Sequence, residues 1–378
     1  MAGDTMTARW LHPAHLFDGQ NLHADMAVAV SDGFVTDMQP RQSLQSERMA
    51  RFEGLITPGF VDLQVNGGAD VLVNNRPDVT SIRSIAAAHR ALGTMAIMPT
   101  VITDRPEILA QAADAVKTLR DDTSILGLHI EGPHIDPVKR GTHAADHIRP
   151  LDEQTMRVVA DLRQADVPTM VTLAPEAAHM DQIRTLADLG VIVSLGHSNC
   201  TAATARAAFA AGASCVTHLF NAMSGLSARA PGLAGAAINS DAYVSMICDG
   251  VHVEDTVLGI AVRGRPRQDR CFLVSDAMPT VGGTDSFDLY GQTIRLSGDR
   301  LINADGNLAG AHTTMAAGFS RLVTKIGLGL ETALRMVVST PAKVVGVPER
   351  ASLVGRRVDA ILVLSPDLNV TGTLEKVT

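Results

Sequence analysis

The stretch ILGLHIE, residues 125–131, is a short apolar run that ends on a carboxylate. Three other runs have the same form. VIVSLGH (191–197) ends on His197, CVTHLF (215–220) carries His218, and CFLVSD (271–276) ends on Asp276. Near-continuous apolar runs of this length belong to strands buried on both faces, as in a parallel sheet. Working outward, GFVDLQV (59–65), TMAIMPT (94–100), TMVTLAP (169–175) and YVSMICD (243–249) complete a set of eight. Amphipathic, Ala-rich segments separate most of them. One opens at Asp104-Arg105-Pro106-Glu107, which predicts an Asp104 N-cap, an early Pro and a capping-box Glu. Another runs from about Thr201 and stops at Gly212. Eight strand–helix units predict an α/β fold, a (β/α)8 barrel of the TIM type over residues 56–352. Residues 281–307, rich in Gly and Asp, read as a β-hairpin-like insert.

The two ends of the chain have a different texture. MAVAV and FVTDM flank Ser31-Asp32-Gly33, and Asp-Gly is a strong hairpin signal. RRVDAILVLSPDLNVTGTLEKVT (356–378) has the same short-strand, turn-rich character. Residues 1–55 with 353–378 therefore predict a small β-sandwich domain assembled from both ends.

Composition narrows the function. With 46% apolar and 19% charged residues the chain is globular, and a net charge of −8 with only 3% aromatics argues against a nucleic-acid partner. No apolar run reaches membrane-spanning length, so no membrane partner is expected. The N-terminus shows no signal peptide, and four cysteines without C-x-x-C spacing suggest reduced packing residues; cytoplasmic location follows.

In such barrels the C-terminal rim carries the active site. One histidine at a strand end is usually a packing residue. Glu131, His197 and His218 together supply one carboxylate and two imidazoles, a ligand set for a divalent first-row metal with a position left open for water. Zinc heads the candidates, and iron(II), manganese and cobalt tolerate the same set. Asp276 at a fourth strand end reads as the base that moves a proton between water and leaving group. His143 and His252 lie in loops within reach of the rim. His129, two residues before Glu131, should face the same side and support it. Arg229, in the loop SGLSARAPGLAG (224–235), is of a type suited to gripping phosphate. No Walker sequence and no G-x-S-x-G elbow is present, which argues against nucleotide hydrolysis and a serine hydrolase of that kind.

The motifs PGFVDLQVNGG (58–68), GLHIEGPHIDPVKRGTH (127–143), LGHSNCT (195–201), THLFNAM (217–223), APGLAGA (230–236), CDGVH (248–252) and LVSDA (273–277) occur in this order. Together they resemble the N-acetylglucosamine-6-phosphate deacetylase family of the amidohydrolase superfamily, over nearly the whole chain. The resemblance implies hydrolysis of the acetamide of N-acetyl-D-glucosamine 6-phosphate through a hydroxide on the metal. It implies one divalent metal per subunit on Glu131, His197 and His218, with Asp276 as proton shuttle and His143 as oxyanion donor. It places Gln64, Thr142, His143, Asn221, Ala222, His252, Leu308, Ala309 and Gly310 at the substrate. It also implies a homodimer in which Arg229 reaches the phosphate in the neighbouring site.

Two departures stand out. Many superfamily members carry H-x-H at the end of the first barrel strand, where this chain has Gln64-Val65-Asn66, so a second metal should be lost. His312 stands where a small hydroxyl residue is expected, a change that either perturbs substrate contacts or is neutral. The 4-epimeric N-acetylgalactosamine 6-phosphate is the nearest alternative substrate. A cyclic-amide hydrolase and a catalytically dead sugar-phosphate sensor are more distant ones.

Overall fold

The computed structural model describes residues 8–44, 49–303, 306 and 308–377. Its central element is an eight-stranded parallel sheet, built from Phe60–Val65, Thr94–Ile102, Leu128–Glu131, Thr169–Leu173, Ile192–Leu195, Cys215–Val216, Tyr243–Met246 and Cys271–Leu273 in chain order. Each strand falls within or across one of the eight apolar runs. Closure is made just past the strand ends. Val65 bridges Ala277, Asp276 N–H donates to the Gln64 carbonyl at 3.0 Å, and Asn66 N–H to the Ala277 carbonyl at 2.9 Å. The sheet is thus a closed barrel.

Helices pack outside it, and their starts show how local sequence sets the frame. The helix Ala202–Ala210 is capped by Thr201, whose hydroxyl accepts from Thr204 N–H at 3.2 Å, and the chain leaves through Gly212 at φ 117°. The helix Pro106–Thr118 differs from expectation: its N-cap is Arg105, with no side-chain cap. Asp104 is otherwise engaged. It accepts from Arg105 N–H at 2.8 Å and from the Asn74 amide at 3.0 Å.

Strands from both ends form one seven-stranded mixed sheet, in which Arg9–Phe17, Met26–Ser31, Phe34–Pro40 and Ala50–Pro58 join Ile361–Leu364 and Val370–Thr373. Asp32 (φ 53°) and Gly33 (φ 75°) make the tight turn of the predicted hairpin. The sheet has its own core, including Leu11, Val28, Ile56, Ile361 and Val363. Ala50–Pro58 pairs with Ile361–Leu364 as far as Pro58, so the sheet runs directly into the first barrel strand.

The insert forms a three-stranded antiparallel sheet, Ser286–Leu289, Gln292–Ser297 and Arg300–Ile302; residues 304, 305 and 307 of it lie outside the described residues. Its core of Phe287, Leu289, Ile294 and Leu301 packs with Leu72, Ile102 and Met278 at the rim. Tyr290 ties it down by donating its hydroxyl to the Thr103 carbonyl. Among the described residues no helix is long and apolar enough to cross a membrane.

Candidate metal-dependent active site

Only Glu131 of the four strand-end residues lies in a strand. His197, His218 and Asp276 lie just beyond theirs and adopt left-handed backbone at φ 47°, 33° and 53°. Phe220 (φ 77°) and Ala222 (φ 46°) continue this after His218. Non-glycine residues held there cost on the order of 1–3 kcal/mol each, and such strain clusters at functional sites. It explains why the sixth strand is only Cys215–Val216: the chain turns out of the sheet to aim His218 inward. Gly132 (φ 78°) does the same after Glu131, where a Cβ would come within 2.2 Å of Thr103 Oγ1.

Three donor atoms converge. Glu131 Oε1 is 3.2 Å from His197 Nε2 and 2.9 Å from His218 Nε2, and the two Nε2 atoms are 3.2 Å apart. His197 Nδ1–H donates to the Lys139 carbonyl at 2.9 Å, which fixes the tautomer and leaves the Nε2 lone pair facing the carboxylate. An imidazole lone pair against a carboxylate oxygen is repulsive unless a cation stands between them. Ligand atoms at about 2.0–2.1 Å from a tetrahedral cation are separated by about 3.3 Å, close to the spacings seen. The three residues therefore fit a small divalent ion. Burial pushes the Glu131 carboxyl up, but the adjoining His197 and His218 imidazoles hold it well below the usual range.

His143 belongs to the same cluster. Glu131, His143 and His197 each offer a ligand atom, all within 4.8 Å of one another. The set with His218 is tighter, and His143 is already committed on one side. Its Nδ1 is 2.7 Å from Thr103 Oγ1 and takes the Thr103 N–H at 3.4 Å, which puts its proton on Nε2. Burial, then the neighbouring His197, pushes its pKa down to about 3, so it is a neutral donor. Its ring lies 4.4 Å from that of His197.

Asp276 is buried beside this group. Its Oδ1 accepts from Asn66 Nδ2 at 2.7 Å and from Gln64 Nε2 at 3.1 Å. Burial, then the Glu131 charge, pushes its pKa up to about 6. Gln64 Nε2 also donates to Glu131 Oε1 at 3.0 Å, so one amide bridges both carboxylates. Gln64 Oε1 and Asn66 Oδ1 are buried and have no hydrogen-bond partner among the described residues.

A cavity of about 360 Å³ opens over these groups. It is lined by Glu131, His143, His197, His218 and Asp276, and by the expected Thr142, Asn221, Ala222, His252, Leu308 and Gly310. His252 Nδ1 lies 2.6 Å from Asp249 Oδ2, which turns its other nitrogen to the cavity. Three expected residues do not line it. Gln64 lies behind it, between the carboxylates. Ala309 is buried in the core of the insert. Arg229 lies on an exposed loop, outside the lining of its own chain's cavity. His312 also lies outside the lining, with Nδ1 2.9 Å from Thr280 Oγ1.

Lys139 and Asn66 also line the cavity; the sequence marks Asn66 only as a lost second-metal position and does not mark Lys139. The signal for Lys139 was its place in PVKRGTH, between Glu131 and His143. Below the site, His129 Nδ1–H donates to the Leu63 carbonyl at 3.0 Å and Nε2 accepts from Thr172 at 2.7 Å. Burial pushes its pKa down to about 4. It supports the floor of the site, on the side expected.

Comparison with known proteins agrees with this geometry. Residues 55–376 match the model of the amidohydrolase family. An N-acetylgalactosamine-6-phosphate deacetylase of Shewanella sp. (strain ANA-3) is 36% identical, over 90% of this chain and 88% of that protein. The N-acetylglucosamine-6-phosphate deacetylase of Haemophilus influenzae is 31% identical over 93% of each. The crystal structure of N-acetylglucosamine-6-phosphate deacetylase from Pasteurella multocida superposes with a TM-score of 0.89 at 31% identity, covering 97% of this chain and 98% of that one.

Proposed function

The chain belongs to the amidohydrolase family, and we propose that it hydrolyses the acetamide of N-acetyl-D-glucosamine 6-phosphate to glucosamine 6-phosphate and acetate. The observation that carries this reading is the convergence of Glu131, His197 and His218 beside Asp276, in a chain similar to deacetylases of this name. Those three residues would hold one divalent ion per subunit, with zinc first and iron, manganese or cobalt as alternatives. When bound, the ion supplies Lewis-acid activation of water and of the amide carbonyl.

The residues divide the remaining work. Asp276 takes the proton of the attacking water, and a pKa raised toward neutrality suits a group that must then give it up. It delivers that proton to the amide nitrogen as the C–N bond breaks. His143 Nε2–H donates to the carbonyl oxygen as charge develops, a contribution of roughly 3–4 kcal/mol for one preorganised donor. Gln64 and Asn66 keep Asp276 aimed. His252, held by Asp249, accepts from a sugar hydroxyl. Thr142, Asn221, Ala222, Leu308 and Gly310 enclose the sugar, with Ala309 fixing the backbone between the last two. Arg229 binds the phosphate of the neighbouring subunit in a homodimer, and such remote binding energy orients the amide. The four cysteines are buried and free, which suits a reducing, cytoplasmic setting.

A second reading rests on one observation: the Shewanella relative at 36% identity acts on the galactosamine epimer. Acetate release from both acetamido-sugar 6-phosphates, with metal content measured on the same sample, tests the two together. A higher kcat/KM for the glucosamine compound is expected; the reverse order would transfer the assignment to the epimer, and no acetate from either would end it.

A further inference from the structure

At the opposite end of the barrel, a second cavity of about 360 Å³ opens between the strand starts and the terminal sheet. Gly59, Val61, Met95 and Ala96 form its barrel wall. Four arginines line it, Arg90, Arg350, Arg356 and Arg357, against a single carboxylate, Asp359. In a chain of net charge −8 this is a pronounced local excess of positive charge.

The single carboxylate is already shared. Asp359 lies 3.4 Å from Arg90 Nη2 and 3.3 Å from Arg357 Nε. Arg350 and Arg356 make no ion pair among the described residues. Arg350 donates to the Thr123 carbonyl at 2.6 Å, and Arg356 donates to the carbonyls of Ser352 and Glu349. Both are half-buried. Burial holds both below the usual guanidinium range, and for Arg356 the charge of Arg350 adds to it. Glu349 pulls on both arginines and Asp122 on Arg350, but neither carboxylate lines the cavity or forms an ion pair with them, and Asp122 is engaged by Arg83 at 3.3 Å. Two half-buried guanidiniums, with carbonyls as their only hydrogen-bond partners among the described residues, thus face the cavity with no carboxylate paired to them there.

We propose that this cavity binds a small phosphorylated anion, gripped by Arg350 and Arg356 with Arg90 and Arg357 around it. Guanidinium forks match phosphate oxygens in pairs, and a cavity of this size admits a phosphate or sugar phosphate but no macromolecule. The site is distinct from the catalytic cavity. The first barrel strand, Phe60–Val65, starts beside it and ends behind the catalytic cavity, and its six residues separate the two by roughly 17 Å. Its ligand would tie barrel residues Arg90 and Arg350 to Arg356 and Arg357 of the terminal segment, across the seam between the two sheets.

The test is calorimetric titration of the metal-loaded protein at low ionic strength, with inorganic phosphate in one arm and glucose 6-phosphate, which has no amide to cleave, in the other. Wild type should bind one more anion per chain than the Arg350→Gln/Arg356→Gln variant, whose deacetylase KM should be unchanged. The two arms separate bare phosphate from its ester. Asp359→Asn should tighten the same event several-fold, because it removes the competing negative charge. Identical isotherms for wild type and the double variant would overturn the proposal. So would an Asp359→Asn protein that folds normally and binds no more tightly.

Discussion

The Asn66 side-chain amide donates to Asp276 Oδ1 at 2.7 Å, and this bond crosses the seam where the barrel closes. Asn66 follows the first strand and Asp276 the eighth, so the proposed proton-transfer group is held by the opposite end of the sheet. Asn66→Ala should lower kcat roughly 10–100-fold, the usual cost of losing such a supporting bond. Metal content should stay near wild type, because Asn66 does not touch Glu131, His197 or His218. Asn66→Asp should be worse, since it sets carboxylate against carboxylate. Steady-state kinetics with metal analysis checks both. A wild-type kcat in Asn66→Ala would remove Asn66 from this role.

The ligand residues and the proton-transfer residue should separate cleanly. Glu131→Ala, His197→Ala and His218→Ala each break a set whose atoms lie within 3.2 Å of one another, and each should lose metal and activity together. Asp276→Asn keeps an oxygen to accept from Asn66 and Gln64. It should therefore retain metal while losing turnover by several orders of magnitude. Metal analysis after gel filtration distinguishes the two patterns. Normal turnover in Asp276→Asn would refute the shuttle.

The barrel was legible because each strand is buried on both faces and so carries an uninterrupted apolar signature. The site was legible for a related reason, since Glu131, His197, His218 and Asp276 are ionisable residues at or near the C-terminal ends of those runs. Less legible was anything depending on backbone rather than side-chain pattern. The left-handed turns at His197, His218 and Asp276 use ordinary residues where glycine would have announced them. The Asp104 cap failed because Asn74, distant in sequence, competes for its carboxylate. The bridging role of Gln64 needed three elements to be brought together in space. Lys139 was hidden because a lysine in a loop carries no periodic pattern, leaving only its place in PVKRGTH to point to it.

Asp62 gives a pH test independent of the metal. It is fully buried below Asp276, where its carboxylate accepts from Ser275 N–H, Ser275 Oγ–H and Gln64 N–H. Burial outweighs those bonds and pushes its pKa up to about 7. The folded state therefore holds this proton more tightly than the unfolded chain, whose value is near 3.9. The stability so contributed is complete below about pH 4 and is lost as pH rises through about 7. Asp62→Asn fixes the neutral form and keeps an acceptor oxygen. Wild type and variant should match near pH 4, with the variant gaining a few kcal/mol by about pH 8. Urea unfolding across this range reads the difference directly. Parallel stability curves would show that Asp62 does not titrate there.

Arg229 lies on an exposed loop and does not line its own chain's cavity, which is why its phosphate-binding role is proposed across a subunit boundary. Arg229→Ala alone should raise KM for the phosphorylated sugar far more than for N-acetylglucosamine, by about 10-fold or more for the loss of a charge-assisted pair. That result would not say which subunit supplies the arginine. A mixture does. In an Arg229→Ala/His197→Ala heterodimer, one site keeps His197 and receives Arg229 from the partner, whereas the other lacks both. Two defective preparations, unfolded and refolded together, should regain a fraction of wild-type activity with wild-type KM. If Arg229 served its own chain, no site in the mixed dimer would be intact. The mixture would then show only the high KM of Arg229→Ala, and that outcome would exclude sharing of the site between subunits.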